Sequence, residues 1–180
     1  GDLVASRRDI VARLGDQEKL TRGKYFLFNL KVDPTETMFL LVIFIKEIPG
    51  RVGHALQLVT TDLDGRNARL VVTDSEWRKG GHHPNWNADG SGILMNLKIE
   101  GKMRFVNISP NDGSIDLVGG DAKGSGHPTL HSSGKHILTD SYISEGFKDS
   151  QGNVPLRLID AKKGTERSIC KIFTKNLDGP

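Results

Sequence analysis

The chain repeats one short motif at a distance of 44 residues, and this repeat constrains the fold more than any other feature. His-Pro-Asn-Trp-Asn-Ala-Asp-Gly begins at His83, and His-Pro-Thr-Leu-His-Ser-Ser-Gly begins at His127. Each copy leads into an Ile-Leu pair, at 93–94 and at 137–138. A self-similar unit of about 40–50 residues, rich in strand and turn formers, is typical of a β-propeller blade. The repeat therefore predicts consecutive blades of one propeller.

Strand and turn patterns on both sides of the motif extend this prediction to three blades. Each blade is expected to contain four short strands, and the segments are 24–76, 83–120 and 127–174. They form a single domain of residues 24–180, preceded by an N-terminal segment, 1–23. In that segment Ser6 and Asp9 have capping-box spacing, which predicts one short helix.

We therefore predict an all-β protein built from about three four-stranded propeller blades. Closed propellers typically have four to eight blades, so three blades do not complete a ring. We expect a fragment of a larger propeller, for example a seven-bladed one, or self-association through open blade edges. A complete small β domain, such as a sandwich, is the alternative.

The charged and apolar residues narrow the possible partners. The 25 basic and 22 acidic residues give a formal net charge of +3 and are scattered, so no nucleic-acid partner is expected. The longest apolar run, residues 38–45, is far shorter than the roughly 20 residues of a membrane helix. We expect a soluble protein, cytoplasmic or periplasmic, without a membrane partner. No G-x-S-x-G motif is present, which argues against an α/β-hydrolase.

Two segments resemble elements of TolB-like propellers. Residues 84–90 resemble the P-x-W-S-P-D-G element, with Asn87-Ala88 in place of Ser-Pro, and residues 158–164 resemble the outer L-x-D-x-x-x-G hairpin. The added histidines, at 82–83 and 127–131, resemble a histidine-rich branch that includes oligogalacturonate lyases. This resemblance implies a seven-bladed propeller that holds a Mn²⁺-type ion with three His and a Gln. It also implies cleavage of unsaturated pectin fragments by β-elimination.

Histidines at the start of the first strand of two blades predict a metal site. The first strand of a blade lines the central channel, so His83 and His127 should meet near the axis. His131 lies four residues further on and shares a strand face with His127, whereas His82 should point the opposite way. Imidazole is a common ligand of divalent metal ions, and we consider Mn, Zn and Ca as candidates for this site. The alternatives are hydrogen bonds from these histidines to a neighbouring blade, and direct binding of an acidic ligand by protonated histidine.

Other polar residues are candidates for roles around that site. Asp140 follows the second motif and either orients a ligating imidazole, acts as a base, or caps a turn. Arg104 and Arg157 occupy corresponding third strands and are candidate anion-binding residues. Tyr142 lies in an insertion, 141–154, and is a candidate for contact with a sugar ring.

Two functions from different classes follow. The first is a divalent-metal-dependent lyase, similar to oligogalacturonate lyase, that acts on acidic oligosaccharides by β-elimination. The second is a non-catalytic propeller that serves as a scaffold for protein–protein interaction. Propellers host many functions, so the fold alone does not choose between them.

Overall fold

The computed structural model describes residues 5–14 and 23–174. Helix α1 spans Arg7–Arg13 and begins with the predicted capping box, in which the backbone amides of Ser6 and Asp9 each donate to the other residue's side chain. The rest of the predicted N-terminal segment lies outside the described residues. No helix of the described part of the chain is long and apolar enough to cross a membrane.

The described residues form three antiparallel sheets of four strands each, and every sheet follows chain order. Blade 1 contains β1 (Lys24–Val32), β2 (Met38–Lys46), β3 (Ala55–Asp62) and β4 (Arg69–Val72). After helix α2 (Asp74–Trp77), blade 2 contains β5 (Gly81–Trp86), β6 (Ile93–Ile99), β7 (Lys102–Ile108) and β8 (Ile115–Val118). Blade 3 contains β9 (Thr129–Leu130), β10 (His136–Thr139), β11 (Asn153–Asp160) and β12 (Glu166–Phe173), and a single 3₁₀ turn, Ile143–Glu145, lies between β10 and β11. The predicted all-β fold of three four-stranded blades is confirmed.

Alternate residues along β2 and along β6 face opposite sides of the sheet, which places a core on both faces of blades 1 and 2. Between blades 1 and 2, Leu40 and Val42 pack in one cluster with Ile93 and Met95. Between blades 2 and 3, buried side chains of both blades form a second cluster: Leu94, Phe105, Ala122, Ile137 and Ile159. Burying one such aliphatic or aromatic side chain contributes about 1.5–3 kcal/mol, whereas an exposed ion pair contributes about 0–1 kcal/mol. Apolar contact between blade faces therefore dominates their association.

Helix α1 covers the other face of blade 1. Its buried Ile10 packs against the odd-numbered positions of β2, among them Leu41 and Ile43. The even-numbered positions of the same strand face blade 2. The long apolar run is thus a central strand that is buried on both sides.

The glycine in the last turn of blades 2 and 3 brings the turn against the preceding blade. Gly113 has a φ of +74°, and a Cβ on it would lie 2.9 Å from the carbonyl oxygen of Val71 in blade 1. Gly164 has a φ of +73°, and a Cβ on it would lie 2.5 Å from the carbonyl oxygen of Gly119. Only glycine combines a positive φ with so close an approach. These two turns thus also set the spacing between blades.

Candidate functional site

The two repeated histidines lie side by side where blades 2 and 3 meet. The ring centroids of His83 and His127 are 3.9 Å apart, with the ring planes inclined by 39°. His83 is supplied by β5, and His127 by the segment immediately before β9. The 44-residue offset in the sequence therefore corresponds to a shared position in space.

His82 joins the same cluster, and the expectation that it points the opposite way is wrong. The register of β5 against β6 shifts between His82 and Asn85, and His83 has a φ of +58°. This irregularity breaks the simple alternation of side chains along the strand. As a result the His82 ring lies 4.8 Å from the His83 ring and 5.6 Å from the ring of Tyr142.

Tyr142 brings a phenol to the cluster from the insertion between β10 and β11. Its hydroxyl is hydrogen-bonded to Nε2 of His83, and its ring centroid lies 6.0 Å from that of His127. Its backbone amide donates to the Ser125 hydroxyl at 3.3 Å, which ties the start of the insertion to the connection between blades 2 and 3. We name the side chains of His82, His83, His127 and Tyr142 the histidine cluster.

Blades 2 and 3 each also place a polar side chain next to one imidazole. The Asp140 carboxylate accepts a hydrogen bond from the His127 amide at 2.5 Å and lies 3.0 Å from Nδ1 of the same residue. Asn96, the residue that corresponds to Asp140 in the repeat, lies 3.2 Å from Nδ1 of His82 and donates to the Gly126 carbonyl at 2.8 Å. Asp140 therefore both holds the start of β9 and orients an imidazole.

Burial and the charges of neighbouring groups lower the pKa values of His82 and His83. Burial, followed by the charges of His127 and then His82, lowers the pKa of His83 to about 4. Burial also lowers the pKa of His82, although the negative charge of Glu145 opposes this. Near neutral pH these two rings therefore retain a lone pair, which is the form that binds a metal ion.

The surroundings of the site lower the pKa of the Asp140 carboxyl group and raise the pKa of the Tyr142 phenol. Burial opposes ionisation of Asp140, but the hydrogen bonds from the His127 amide and ring outweigh it, so the pKa of Asp140 is lowered. Burial raises the pKa of Tyr142, and the charges of Asp140 and Glu145 add to this effect. The site thus holds an ionised carboxylate beside a neutral phenol.

His131 has a different setting from the other predicted metal ligands. Its Nδ1 lies 2.9 Å from the Ser133 hydroxyl and accepts a hydrogen bond from the Ser133 amide at 3.2 Å, so the side chain closes the turn after β9. No ring contact joins it to the histidine cluster within the described ranges. Across residues 5–14 and 23–174, no three His, Cys, Asp or Glu side chains are already arranged to hold a metal ion.

The two predicted anion-binding arginines have protein partners. Arg104 pairs with Asp121 at 2.7 Å. Arg157 is only 2% exposed, donates to the Lys123 carbonyl at 3.0 Å and pairs with Glu166. Both guanidinium groups thus engage the chain itself, and they hold strands to the connection between blades 2 and 3.

Sequence reasoning misses three residues around the cluster. The alternation rule excludes His82 because of its expected orientation. Asn96 and Glu145 carry no motif of their own, although Asn96 is the repeat partner of Asp140. The Oδ1 of Asn96 and the Oε2 of Glu145 are buried and have no hydrogen-bond partner among the described residues. The His-His pair and the 44-residue offset are the available signals for His82 and Asn96.

Sheets of four antiparallel strands, packed face to face in chain order, define the protein as a β-propeller. Comparison with solved structures assigns the blades to the TolB-like propeller fold. TolB from Acinetobacter baumannii is 14% identical with a TM-score of 0.53, and the match covers 81% of this chain and 32% of that one. An oligogalacturonate lyase in complex with manganese is 18% identical with a TM-score of 0.59, and the match covers 81% of this chain and 36% of that one.

A third solved structure shares the fold in a different protein. The β-propeller domain of the Trilobed protease from Pyrococcus furiosus, which has an open velcro topology, is 11% identical with a TM-score of 0.51. That match covers 82% of this chain and 42% of the domain. The chain thus spans about a third of the length of the first two of these structures. No family model and no curated protein matches the sequence.

Proposed function

We propose that His83 and His127 bind one divalent metal ion, and that the protein uses this ion to cleave an acidic oligosaccharide by β-elimination. The observation that carries the proposal is the 3.9 Å separation of these two rings, which come from neighbouring blades. The similarity to a lyase solved with manganese supports the choice of ion and reaction. This assignment leaves out His131, because its Nδ1 is engaged in a turn.

The hydrogen-bond partners of the rings fit a metal site built on these two histidines. Nδ1 of His127 faces the Asp140 carboxylate, which only accepts hydrogen bonds, so the ring proton lies on Nδ1 and the Nε2 lone pair is free. Nε2 of His83 bonds to the Tyr142 hydroxyl, and when Nε2 donates, the lone pair of Nδ1 is free. A carboxylate behind a ligating imidazole is the usual arrangement in metalloproteins. Nitrogen donors favour Mn²⁺ or Zn²⁺ over Ca²⁺, which takes oxygen ligands.

His82 has the opposite tautomer and therefore a different role. The Asn96 amide group donates to Nδ1 of His82, so the proton of the neutral ring lies on Nε2. That nitrogen has no hydrogen-bond partner in the described part of the chain. We assign it the role of a donor to a substrate carboxylate or hydroxyl.

The proposed reaction removes a proton next to a uronate carboxylate. The electron pair of the broken carbon–hydrogen bond forms a carbon–carbon double bond, the bond to the leaving sugar oxygen breaks, and that oxygen takes up a proton, which balances the proton lost from carbon. A bound divalent ion would neutralise the carboxylate and stabilise the negative charge that develops on it. The protein's own contribution is to orient His127 through Asp140, to hold His83 through Tyr142 and to offer the N–H of His82.

Titration calorimetry with Mn²⁺ and an assay with oligogalacturonate test this function. His83→Ala and His127→Ala should each weaken Mn²⁺ binding and abolish the ultraviolet absorbance of the unsaturated product. His136→Ala is the matched control, because this half-buried histidine of β10 has no ring contact with the cluster among the described residues. Equal Mn²⁺ affinity in wild type and His127→Ala would refute the metal site, and metal binding without product would refute the reaction.

One face of blade 3 is not covered by any of the described residues, and this favours a second candidate function, a scaffold that binds another copy of this chain. Leu94 of blade 2 is 1% exposed under blade 3, whereas its repeat equivalent Leu138 is 38% exposed. Helix α1 covers the opposite end of the stack, so copies would meet through their blade 3 faces. Light scattering should find a dimer that Leu138→Asp dissociates and Leu117→Asp, on an exposed position of β8, does not. A monomeric wild type would refute this candidate.

A further inference from the structure

We infer that Phe147 is a positioning residue. Its ring binds the insertion to Arg157 and Lys123, and this keeps the Tyr142 hydroxyl within hydrogen-bonding distance of His83. The inference rests on the proposed function only where metal affinity is used to measure its effect. Its physical basis is a set of contacts between the insertion and the connection that joins blades 2 and 3.

Two cationic groups hold the Phe147 ring. The Arg157 guanidinium carbon lies 4.4 Å from the ring centroid, and the Lys123 ammonium nitrogen lies 5.1 Å from it. Both distances are within the range of favourable cation–π contacts, which strengthen when the cation is desolvated. Arg157 is almost fully buried and is itself fixed by Glu166 and by the Lys123 carbonyl. Phe147 is therefore anchored to a cation that has little freedom to move.

The same connection holds the insertion at two further points. The Lys123 ammonium donates to the Glu145 carbonyl at 2.7 Å, and the Ser125 hydroxyl accepts from the Tyr142 amide at 3.3 Å. Residues 142, 145 and 147 are thus attached to residues 123–125 and to Arg157, which lies on β11. Without the aromatic ring, the middle of the insertion would lose its contact with Arg157.

A shift of residues 142–147 would affect the proposed metal site through one hydrogen bond. The Tyr142 hydroxyl bonds to Nε2 of His83, and when Nε2 is the donor in this bond the lone pair of Nδ1 is free for a metal ion. A segment that shifts by about 1 Å would lengthen or break this bond. Phe147 would then affect metal binding although it touches neither the metal ligands nor the substrate.

Three variants of the protein separate this role from a general effect on folding. Phe147→Leu removes the aromatic face but keeps apolar volume, and Phe147→Tyr restores an aromatic face. Phe173→Leu is the control, because this exposed phenylalanine lies on the outer strand of the same blade. In Mn²⁺ calorimetry we expect Phe147→Leu to weaken binding by about three- to thirtyfold, the range of one cation–π contact. Phe147→Tyr and Phe173→Leu should stay within about twofold of wild type.

A measurement without metal makes the inference independent of the proposed function. NMR of the metal-free protein should show a contact between the ring protons of Tyr142 and His83 in wild type and in Phe147→Tyr, but a weaker one in Phe147→Leu. Hydrogen exchange at residues 142–147 should be faster in Phe147→Leu alone. An unchanged ring contact and unchanged exchange in Phe147→Leu would overturn the inference. Absence of Mn²⁺ binding by wild type would overturn the proposed function instead, and the metal-free measurements would still decide the role of Phe147.

Discussion

The Asp140 carboxylate holds His127 at two points, through the backbone amide at 2.5 Å and through Nδ1 at 3.0 Å. The contact to the amide fixes where the chain enters β9, and the contact to the ring fixes the tautomer. One side chain thus couples the architecture of blade 3 to the chemistry of its histidine. Asn96, the corresponding residue of blade 2, contacts the ring of His82 and donates to the Gly126 carbonyl, and as an amide it imposes the opposite tautomer on His82.

Asp140→Asn should weaken metal binding while the fold is retained. The amide still accepts a hydrogen bond from the His127 backbone, but it no longer fixes the ring proton on Nδ1 by charge. Loss of a partner of this kind typically costs about 10- to 100-fold in metal affinity. Titration calorimetry with Mn²⁺ measures the effect, and Asp116→Asn, on an exposed position of β8, is the control. An affinity equal to that of wild type would show that Asp140 only caps the strand.

Asp33 should make the stability of blade 1 depend on pH. Burial opposes its ionisation, but the Thr35 hydroxyl and then three backbone amides stabilise the carboxylate, so the pKa of Asp33 is lowered to about 2. Because the pKa is lower in the folded chain than in the unfolded one, this contribution is present above about pH 4 and is lost between about pH 4 and pH 2.

Denaturant unfolding of Asp33→Asn at several pH values tests this expectation. At pH 7 the variant should lose on the order of 1–3 kcal/mol of unfolding free energy, because the turn's hydrogen bonds to a charged acceptor are replaced by weaker ones. The difference from wild type should shrink as the pH falls toward 2. A difference that stays constant over this range would mean that the charge of Asp33 does not contribute.

Gly113→Ala should loosen the contact between blades 1 and 2. The new Cβ would meet the Val71 carbonyl oxygen at 2.9 Å and its Cα at 3.1 Å. Gly134→Ala is a closely matched control, since Gly134 has a φ of +69° and a Cβ on it would meet no atom of the described residues within 4 Å. Both variants incur the strain of a positive φ, on the order of 1 kcal/mol. Thermal unfolding should show a larger loss for Gly113→Ala, and equal losses would contradict a role in blade spacing.

Much of the fold could be predicted from the sequence because the repeat and the turn chemistry are local signals. The 44-residue offset places His83 and His127 at equivalent points, and turn glycines such as Gly113 mark the ends of strands. These signals can be read without knowing the tertiary contacts. They therefore predict the number of strands and the proximity of the two histidines.

The remaining site residues depend on contacts that no local pattern contains. His82 joins the cluster through an irregular strand with a positive φ at His83, which the alternation rule does not allow for. Arg157 is a candidate anion-binding residue by its strand position, but its place beside Phe147 follows from the path of the insertion. His131 lies just after β9, and its ring is hydrogen-bonded to Ser133 within the following turn instead of reaching the histidine cluster.

A crystal structure of the protein with bound zinc tests the central claim most directly. Anomalous scattering at the zinc edge locates the ion without reference to the protein atoms. We predict one strong peak at about 2.0–2.1 Å from both Nε2 of His127 and Nδ1 of His83, the usual Zn–N distance. A peak bound elsewhere, or none at these two nitrogens, would contradict the account.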